Sequence, residues 1–503
     1  MPKQTRALAL FNYDWDALGH ARAAQNVPAL GLAGVDEAGF DLFSFPSNAR
    51  LAWFDMERFV DRLARKARRK GWTAVTSNHE QFGALAAALL AERMGWPGTP
   101  VKAILACQHK WYARQVLQQV APEANLSYAL LNAAYGDPAP EGLRYPAFVK
   151  PVKAAFSVLA KAVHNRDELQ AHTRFGAWEL WVIKRLVEPF ERLAQERLAP
   201  LNQGQSGEEA ALPCAHRMLL EEVVPAKTPQ YNLDGYVFKG QAHALGVVDA
   251  VMYPGTQAFM RWDVPGSAPA GVQARALDVA QRFLHAVGFT HGMFNMEFFH
   301  DPVTDRLSVI EFNPRLASQF SDLYLRTTGV DLHAVSLALA LGMDPATLPR
   351  AEPVAGAAAS LVYRAFEENE IRPQPTPAQA KALTDAFPDA DLYPFPKAGG
   401  SVARDFKWLG SYRYGIVHLQ GRDKADLKAR SEKASALLGW PTPWLDGEPV
   451  ATAAAPTNTT MPPTVQVDGA SAMLDVDLAP FPTHTHCLRP EAASEQRPTA
   501  RTS

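Results

Sequence analysis

The sequence predicts an α/β lobe followed by an α+β region, because two patterns succeed each other along its 503 residues. Up to about residue 100, short apolar runs with strand character alternate with amphipathic helical runs, which is typical of a parallel sheet. Beyond that point several strand-like runs follow one another, which indicates an α+β arrangement. The length is enough for about three domains of roughly 150 residues each.

Residues 1–100 are predicted to form a Rossmann-like lobe. Apolar spacing predicts helices at Met56–Lys70 and Gln81–Met94, and Gly95 and Pro97 end the second one. Strands are predicted at Arg6–Phe11, Ala29–Leu32, Phe40–Phe43 and Thr73–Ser77. Because the lobe lacks a GxGxxG fingerprint, its sequence gives no support for a dinucleotide site.

Residues 101–343 form the predicted α+β domain, and residues 344–448 a small C-terminal α+β lobe. Helices are predicted at Val272–Val287, Leu332–Leu341 and Arg422–Leu438, and a polar loop at Leu193–Cys214. Residues 449–503 are rich in Ala, Pro and Thr without periodicity, which predicts a disordered tail. The predicted strands are Tyr145–Lys150, Leu159–Val163, Trp181–Leu186, Met218–Val224, Leu233–Val237, Ala358–Ala365 and Tyr414–Leu419.

Composition places the chain among cytoplasmic globular proteins. Hydrophobic residues make up 47% and charged residues 20%, and the net charge of −2 creates no field that would attract nucleic acid or an anionic membrane. Cys107, Cys214 and Cys487 are too scattered for a disulfide framework, which favours a reducing compartment. No apolar run approaches the roughly 18 residues of a membrane span.

A candidate metal site lies on two short apolar runs that carboxylates interrupt. Asn295–Phe299 and Val309–Arg315 both have strand character, with a turn between them. Neighbouring strands would bring Glu297, Glu311 and Asn313 together, and such oxygen ligands suit Mg²⁺ held partly by nucleotide phosphates. Glu311 lies inside an apolar run, where an unpartnered carboxylate would be costly to bury.

Three further segments have two open interpretations each. Lys110, at the start of a predicted helix, and Lys150, at the end of a strand, are surface lysines or phosphate ligands. The segment Glu221-Glu222-Val223-Val224 runs into Pro225. It is either an ordinary edge strand or a hinge whose main chain faces an adenine edge.

In this order, the segments resemble the ATP-grasp superfamily, from about Pro100 to Gly342. His109-Lys110 is similar to its first phosphate-binding lysine region and Phe148-Val149-Lys150-Pro151 to its second. The resemblance implies main-chain nucleotide contacts at Glu222 and Val224, and Glu221 at the purine or ribose edge. It further implies Gln230 at the ribose, Mg²⁺ or Mn²⁺ at Glu297, Glu311 and Asn313, and Arg315 as the catalytic-site arginine.

The chain departs from the superfamily at the phosphate loop. The segment after Lys150, Val152–Val158, contains no glycine, whereas relatives carry a glycine-rich loop there. Without glycine, positive φ angles are less accessible to the loop. The hydroxyl of Ser157 and nearby main-chain N–H groups remain as expected phosphate donors.

The resemblance implies an ATP-dependent carboxylate–amine ligase of the amino-acid ligase and biotin-carboxylase-like branch. A small carboxylate and an amine would be joined through an acylphosphate, with release of ADP and phosphate. Biotin-carboxylase-like carboxylation is one alternative, and a non-catalytic ATP-binding sensor is another. Similar proteins are commonly dimers, so a homodimer is an open expectation. The identities of the acid and the amine are not encoded in these motifs.

Overall fold

A computed structural model describes residues 5–41, 47–131, 138–154, 158–198, 217–396 and 402–445. The predicted tail at 449–503 lies outside these ranges, as do residues 199–214 of the predicted loop. No helix in the described part of the chain is long and apolar enough to cross a membrane.

The N-terminal lobe has the predicted alternation of strands and helices. Its sheet has the order β2-β1-β3 and is parallel throughout. The helices predicted at Met56–Lys70 and Gln81–Met94 are confirmed, the second starting at Gly83. The elements are β1 Thr5–Leu10, α1 Asp14–Asn26, β2 Leu32–Ala38, α2 Met56–Lys70, β3 Trp72–Thr76, α3 Gly83–Met94, α4 Val101–Gln108 and α5 Lys110–Val120.

Two predicted strands of this lobe were wrong in detail. Pro28–Leu30 forms a 3₁₀ turn, so the strand expected at Ala29–Leu32 begins only at Leu32. That strand ends at Ala38, before the run predicted at Phe40–Phe43, of which residues 42 and 43 lie outside the description. Gly39, with φ +134°, ends the strand in a conformation that other residues rarely adopt.

A small antiparallel sheet follows, with the order β4-β7-β5-β6. The strand predicted at Trp181–Leu186 was wrong, because these residues lie within a 21-residue helix that also includes the start of the predicted loop. Its buried side chains Ile183, Val187, Phe190 and Ala194 recur at helical spacing, which a six-residue window does not show. The elements are β4 Tyr128–Leu131, β5 Ala147–Pro151, β6 Lys161–Val163, α6 Arg166–His172, α7 Ala177–Arg197 and β7 Met218–Glu222.

The largest sheet has eight antiparallel strands in the order β12-β11-β8-β9-β10-β13-β15-β14. The strands of the predicted C-terminal lobe therefore continue this sheet, although the domain boundaries themselves remain a prediction. The strands are β8 Gln230–Phe238, β9 Gln241–Met252, β10 Phe259–Val264, β11 Gly292–Asp301, β12 Arg306–Asn313, β13 Ala357–Ala365, β14 Asp391–Pro394 and β15 Tyr412–Gly421. The helices are α8 Ala270–Ala286, α9 Ser321–Thr328, α10 Leu332–Ala340, α11 Pro377–Ala386, α12 Ala403–Leu409 and α13 Lys424–Leu438.

Helix α8 fixes the strands that carry the predicted metal ligands. Phe283 of α8 stacks on Phe312 of β12, with ring centroids 3.9 Å apart. Met296 and Phe298 of β11 are completely buried in the same core. Because side chains alternate along a strand, burial of these residues turns Glu297 and Glu311 to the opposite face.

Candidate functional site

The two predicted metal-binding glutamates lie directly opposite each other. Glu297 of β11 pairs with Glu311 of β12, and Asn295 pairs with Asn313. The amide of Asn313 donates to Glu297 Oε1 at 3.1 Å, and the amide of Gln230 donates to Glu297 Oε2 at 3.2 Å. Five side chains that carry a carboxylate or an amide therefore meet on one face of the sheet. Gln230, expected at the ribose, here contacts a glutamate.

The pKa values of the two glutamates are displaced in opposite directions. Burial raises the pKa of Glu297, and the nearby Glu311 carboxylate raises it further. Burial also acts on Glu311, but Lys110 and Lys150 outweigh it and lower its pKa. A divalent cation beside both carboxylates would favour the ionised form of each.

Lys110 connects strand β12 of this site to the segment that follows strand β5 of the small sheet. Its Nζ lies 3.0 Å from Glu311 Oε2 and donates to the carbonyl of Ala154 at 2.9 Å. Lys110 is the first residue of α5, whose N-terminal cap is His109; the imidazole Nδ1 of His109 accepts from the Tyr112 N–H at 3.2 Å. The ammonium is therefore held between a predicted metal ligand and the start of the glycine-free loop.

Glu221 is held by two cations. Its carboxylate lies 2.7 Å from Arg114 Nε and 2.8 Å from Lys150 Nζ, and its side chain is 2% exposed. Arg114 also donates to the carbonyls of Val309 and Ile310 on β12. Both carboxylate oxygens are thus occupied, and the predicted contact of Glu221 with a purine or ribose stays a prediction.

The predicted adenine hinge begins where strand β7 ends. The N–H of Glu222 donates to the carbonyl of Ser127 at 3.0 Å, and its carboxylate lies 2.7 Å from Arg306 Nη1. Val224 lies beyond the last ladder residue, so sheet pairing does not engage its main chain. Ser157, the predicted hydroxyl donor, lies outside the described residues.

Arg315 follows β12 and meets a residue that the sequence did not single out. Its Nη2 lies 2.9 Å from Glu80 Oε2, and the glutamate is 235 residues away in the chain. Glu80 belongs to the buried polar run Thr76–Gln81, which starts at the carboxyl end of β3. Ligands of parallel sheets bind at the carboxyl ends of the strands. The position of this polar run directly after β3 is therefore the sequence feature that could have identified Glu80 as a site residue.

Lys153 is a second residue that the sequence reasoning missed. It is 1% exposed, and its Nζ has no hydrogen-bond partner among the described residues. The ammonium lies 5.4 Å from the ring centroid of Phe190, and burial lowers the pKa of Lys153 to about 8. Glu80, Lys110, Glu311 and Arg315 all act on it electrostatically, which places it beside the same cluster.

A second group of possible metal ligands already has cationic partners. Side-chain ligand atoms of Asp322, Asp391 and His418 lie within 4.8 Å of one another. Arg326 Nη2 lies 2.6 Å from Asp322 and 2.7 Å from Asp391. Because Arg326 contacts both carboxylates and Arg22 Nη1 lies 3.8 Å from Asp322, this cluster is explained as an ion-pair network.

The side chains gathered here are of the types that suit a nucleoside triphosphate and a divalent cation, and their assignment to these ligands stays a prediction. Carboxylates and an amide lie on β11 and β12, and the cations Lys110, Lys150 and Arg315 surround them. Hard oxygen ligands suit Mg²⁺, and lysine and arginine suit phosphate. Val224 lies outside the strand ladder, and its contact with a nucleobase stays a prediction.

Comparison with known proteins agrees with this chemistry. The family model described as carbamoyl-phosphate synthase L chain, ATP binding domain, matches residues 272–348, which include β11 and β12. Carnosine synthase 1 of Gallus gallus is 28% identical over 276 residues, which are 53% of this chain and 27% of that protein. The chain therefore spans about a quarter of the length of this relative.

Solved structures with the same fold cover most of the chain. The L-amino acid ligase from Bacillus licheniformis superimposes with a TM-score of 0.59 at 15% identity, covering 86% of this chain and 97% of that one. The biotin carboxylase domain of Hydrogenobacter thermophilus 2-oxoglutarate carboxylase, solved as a dimer with MgADP, ADP and bicarbonate, gives 0.54 at 14% identity, covering 86% and 89%. At these identities the likeness establishes the fold alone. The chain accordingly has the ATP-grasp fold that the sequence analysis predicts.

Proposed function

We propose that this chain is an ATP-dependent carboxylate–amine ligase that works through an acylphosphate. The observation that carries the proposal is the pairing of Glu297 with Glu311, with Asn313 on Glu297 and Lys110 on Glu311. A sheet face with two opposed carboxylates and a bound lysine suits a metal-bound triphosphate. The relatives named as a carnosine synthase and an L-amino acid ligase support the same reaction class.

The metal would be Mg²⁺, or Mn²⁺ in its place, held by Glu297, Glu311 and Asn313. It would neutralise charge on the transferring phosphate. The donor set fits, because the Asn313 amide now donates to Glu297 and a rotation would present its oxygen instead. Gln230 orients Glu297 from the other side.

The protein's own cations do the remaining work on the phosphates. Lys110 and Lys150 bind them, and Glu221 acts through Lys150 by fixing the position of its ammonium. The free main chain around Val224 and the carbonyl of Glu222 face the adenine, and Ser157 remains a proposed phosphate donor. Lys153, buried beside Lys110, Glu311 and Arg315, adds a further positive charge for the phosphates.

The reaction consists of two displacements. A carboxylate oxygen of the acid attacks the γ-phosphorus of ATP, the bond from that phosphorus to the β,γ-bridging oxygen breaks, and ADP leaves. The amine nitrogen then attacks the acyl carbon, the bond from that carbon to the phosphate oxygen breaks, and the nitrogen loses a proton as the amide forms. Arg315, held by Glu80, would stabilise charge on the transferring phosphoryl group.

The test is a screen for ADP and phosphate release with pairs of amino acids and small carboxylic acids, with product masses measured. Biotin is omitted, so turnover separates a ligase from a biotin-carboxylase-like enzyme. Glu311→Gln is the inactive reference, and Glu432→Gln, an exposed position on α13, is the matched control. ATP binding without ADP formation across the whole panel would instead identify a nucleotide sensor.

A further inference from the structure

Two arginines lie side by side on the large sheet, away from the metal ligands. Arg364 of β13 pairs in register with Arg413 of β15. Residues paired in this way project from the same face of a sheet. The neighbouring residues Tyr363, Tyr412 and Tyr414 pack into the core on the other face. Both arginines are half-buried, so their donor groups remain within reach of a ligand.

Neither arginine has a carboxylate partner among the described residues. Arg364 donates from Nε to the carbonyl of Phe259 at 3.1 Å and from Nη1 to Ser411 Oγ at 3.0 Å. The guanidinium of Arg413 stacks on the ring of Phe395 at 4.1 Å and makes no hydrogen bond with the described chain. Its planar donor edge is therefore open.

Other buried or half-buried arginines in this part of the molecule are paired with carboxylates. Arg261 lies 3.1 Å from Asp263, Arg326 contacts two aspartates, and Arg430 lies 2.5 Å from Asp389. Among the arginines compared, Arg364 and Arg413 are thus the two that lack a carboxylate partner in the described part of the chain. Like charges directly opposite each other destabilise a sheet, so the presence of this arginine pair calls for a functional explanation.

The surroundings make the pair receptive to an anion. Burial lowers the pKa of Arg413, and burial together with the charge of Arg413 lowers the pKa of Arg364, both to about 10. At neutral pH both guanidinium groups still carry their charge. An anion between them would remove the repulsion and replace the lost hydration.

The arginine pair is connected to the proposed reaction site through the loop after β1. Burial raises the pKa of Tyr13, and Arg315, Glu80 and Arg413 all act on this hydroxyl electrostatically. Tyr13 therefore lies near both the phosphoryl-transfer arginine and the arginine pair. Trp15, two residues on, donates to Ser318 Oγ at 2.9 Å and packs against Tyr393 of β14.

We propose that Arg364 and Arg413 bind the free carboxylate of an amino acid that supplies the amine. This inference rests on the ligase function proposed above. A guanidinium matches a carboxylate in a planar, bidentate arrangement, and two of them fix both its position and its orientation. The amine substrate is thereby an amino acid and not a simple amine, and its carboxylate is the one that remains free in the product.

Direct binding tests this subsite without requiring turnover. Thermal shift and tryptophan fluorescence are measured with the twenty common amino acids, the corresponding amino-acid carboxamides and inorganic phosphate, each with and without a non-hydrolysable ATP analogue. Arg413→Gln is the main variant, because Arg413 makes no hydrogen bond that the fold needs. Arg364→Gln is the second, and Arg422→Gln, 87% exposed in the same lobe, is the control.

We expect the wild-type chain to bind at least one amino acid tenfold or more tightly than its carboxamide. Arg413→Gln should weaken binding of the amino acid at least tenfold and leave the carboxamide unchanged, and Arg422→Gln should match the wild type. Equal binding of amino acid and carboxamide, no binding of either, tighter binding of phosphate, or an unaffected Arg413→Gln variant would overturn the subsite.

The proposed carboxylate subsite and the proposed ligase function can be refuted independently of each other. A chain that binds amino acids through Arg413 but forms no ADP with any acid and amine keeps the subsite and loses the ligase function. A chain that releases ADP equally well with amino acids and their carboxamides keeps the ligase function and loses the subsite.

Discussion

Replacing Glu221 by glutamine removes the negative charge from the most enclosed ion-pair cluster of the site. The two pairs, 2.7 Å to Arg114 and 2.8 Å to Lys150, lie around a side chain that is 2% exposed. Glutamine keeps the volume but leaves two buried cations without a counter-charge. Breaking a buried pair by removing one partner typically costs about 3–5 kcal/mol. We therefore expect the free energy of unfolding to fall by about that amount.

The response to nucleotide then separates a purely structural role from a role in phosphate binding. Among the described residues, Arg114 keeps its hydrogen bonds to the carbonyls of Val309 and Ile310, whereas Lys150 keeps a single one, to the carbonyl of Ile310 at 3.3 Å. If Lys150 binds a phosphate, an ATP analogue replaces the missing anion. It should then stabilise Glu221→Gln more than it stabilises the wild type.

The assay is urea unfolding followed by tryptophan fluorescence, with and without a non-hydrolysable ATP analogue and Mg²⁺. Glu92→Gln is the matched control, because its partner Arg197 is 38% exposed and such surface pairs contribute about 0–1 kcal/mol. A Glu221→Gln variant within 1 kcal/mol of the wild type would refute the destabilisation argument. Equal stabilisation of both proteins by the nucleotide analogue would refute the link to phosphate.

Further predictions address the metal, the transferring phosphoryl group, the loop and pH. Glu311→Gln should abolish ADP release, and full turnover in that variant would disprove the metal assignment. Arg315→Ala should lower kcat by about 10²–10³-fold while nucleotide affinity, measured by calorimetry, is retained; an equal loss of affinity would indicate a structural arginine. Lys153→Met should leave the free energy of unfolding equal or higher, since no hydrogen bond to a described residue is lost, but it should weaken ATP binding. An unchanged affinity for ATP would show that Lys153 does not bind the nucleotide. Burial raises the pKa of Asp234 to about 7, so the folded state keeps a proton that the unfolded state releases near pH 4. The free energy of unfolding should therefore fall as pH rises from about 4 to 7, by at most about 4 kcal/mol. Asp234→Asn should remove this dependence of the free energy of unfolding on pH. Urea unfolding of both proteins at pH 5 and pH 8 tests this, and an equal change between the two pH values in wild type and variant would contradict the reasoning.

Local patterns predicted most helices and strands near the site. The alternation around Glu297 and Glu311 predicted two strands, and their register confirms that the two carboxylates face each other. Helical spacing likewise located Met56–Lys70. It failed at Trp181–Leu186, because the apolar face of α7 becomes recognisable only over several turns. The assignment of individual site residues to nucleotide or metal stays a prediction.

What the sequence determined by itself was the order of the chemical groups: a lysine, a second lysine, the hinge glutamates, and then the opposed carboxylates with Asn313 and Arg315. This information is local, because residue type and spacing within one strand or helix fix which side chains share a face. Tertiary structure alone decided that Glu80 reaches Arg315, that the Lys153 ammonium is buried without a hydrogen-bond partner among the described residues, and that Arg364 lies opposite Arg413. These contacts depend on sheet order and on strand register between distant segments, which no local periodicity encodes.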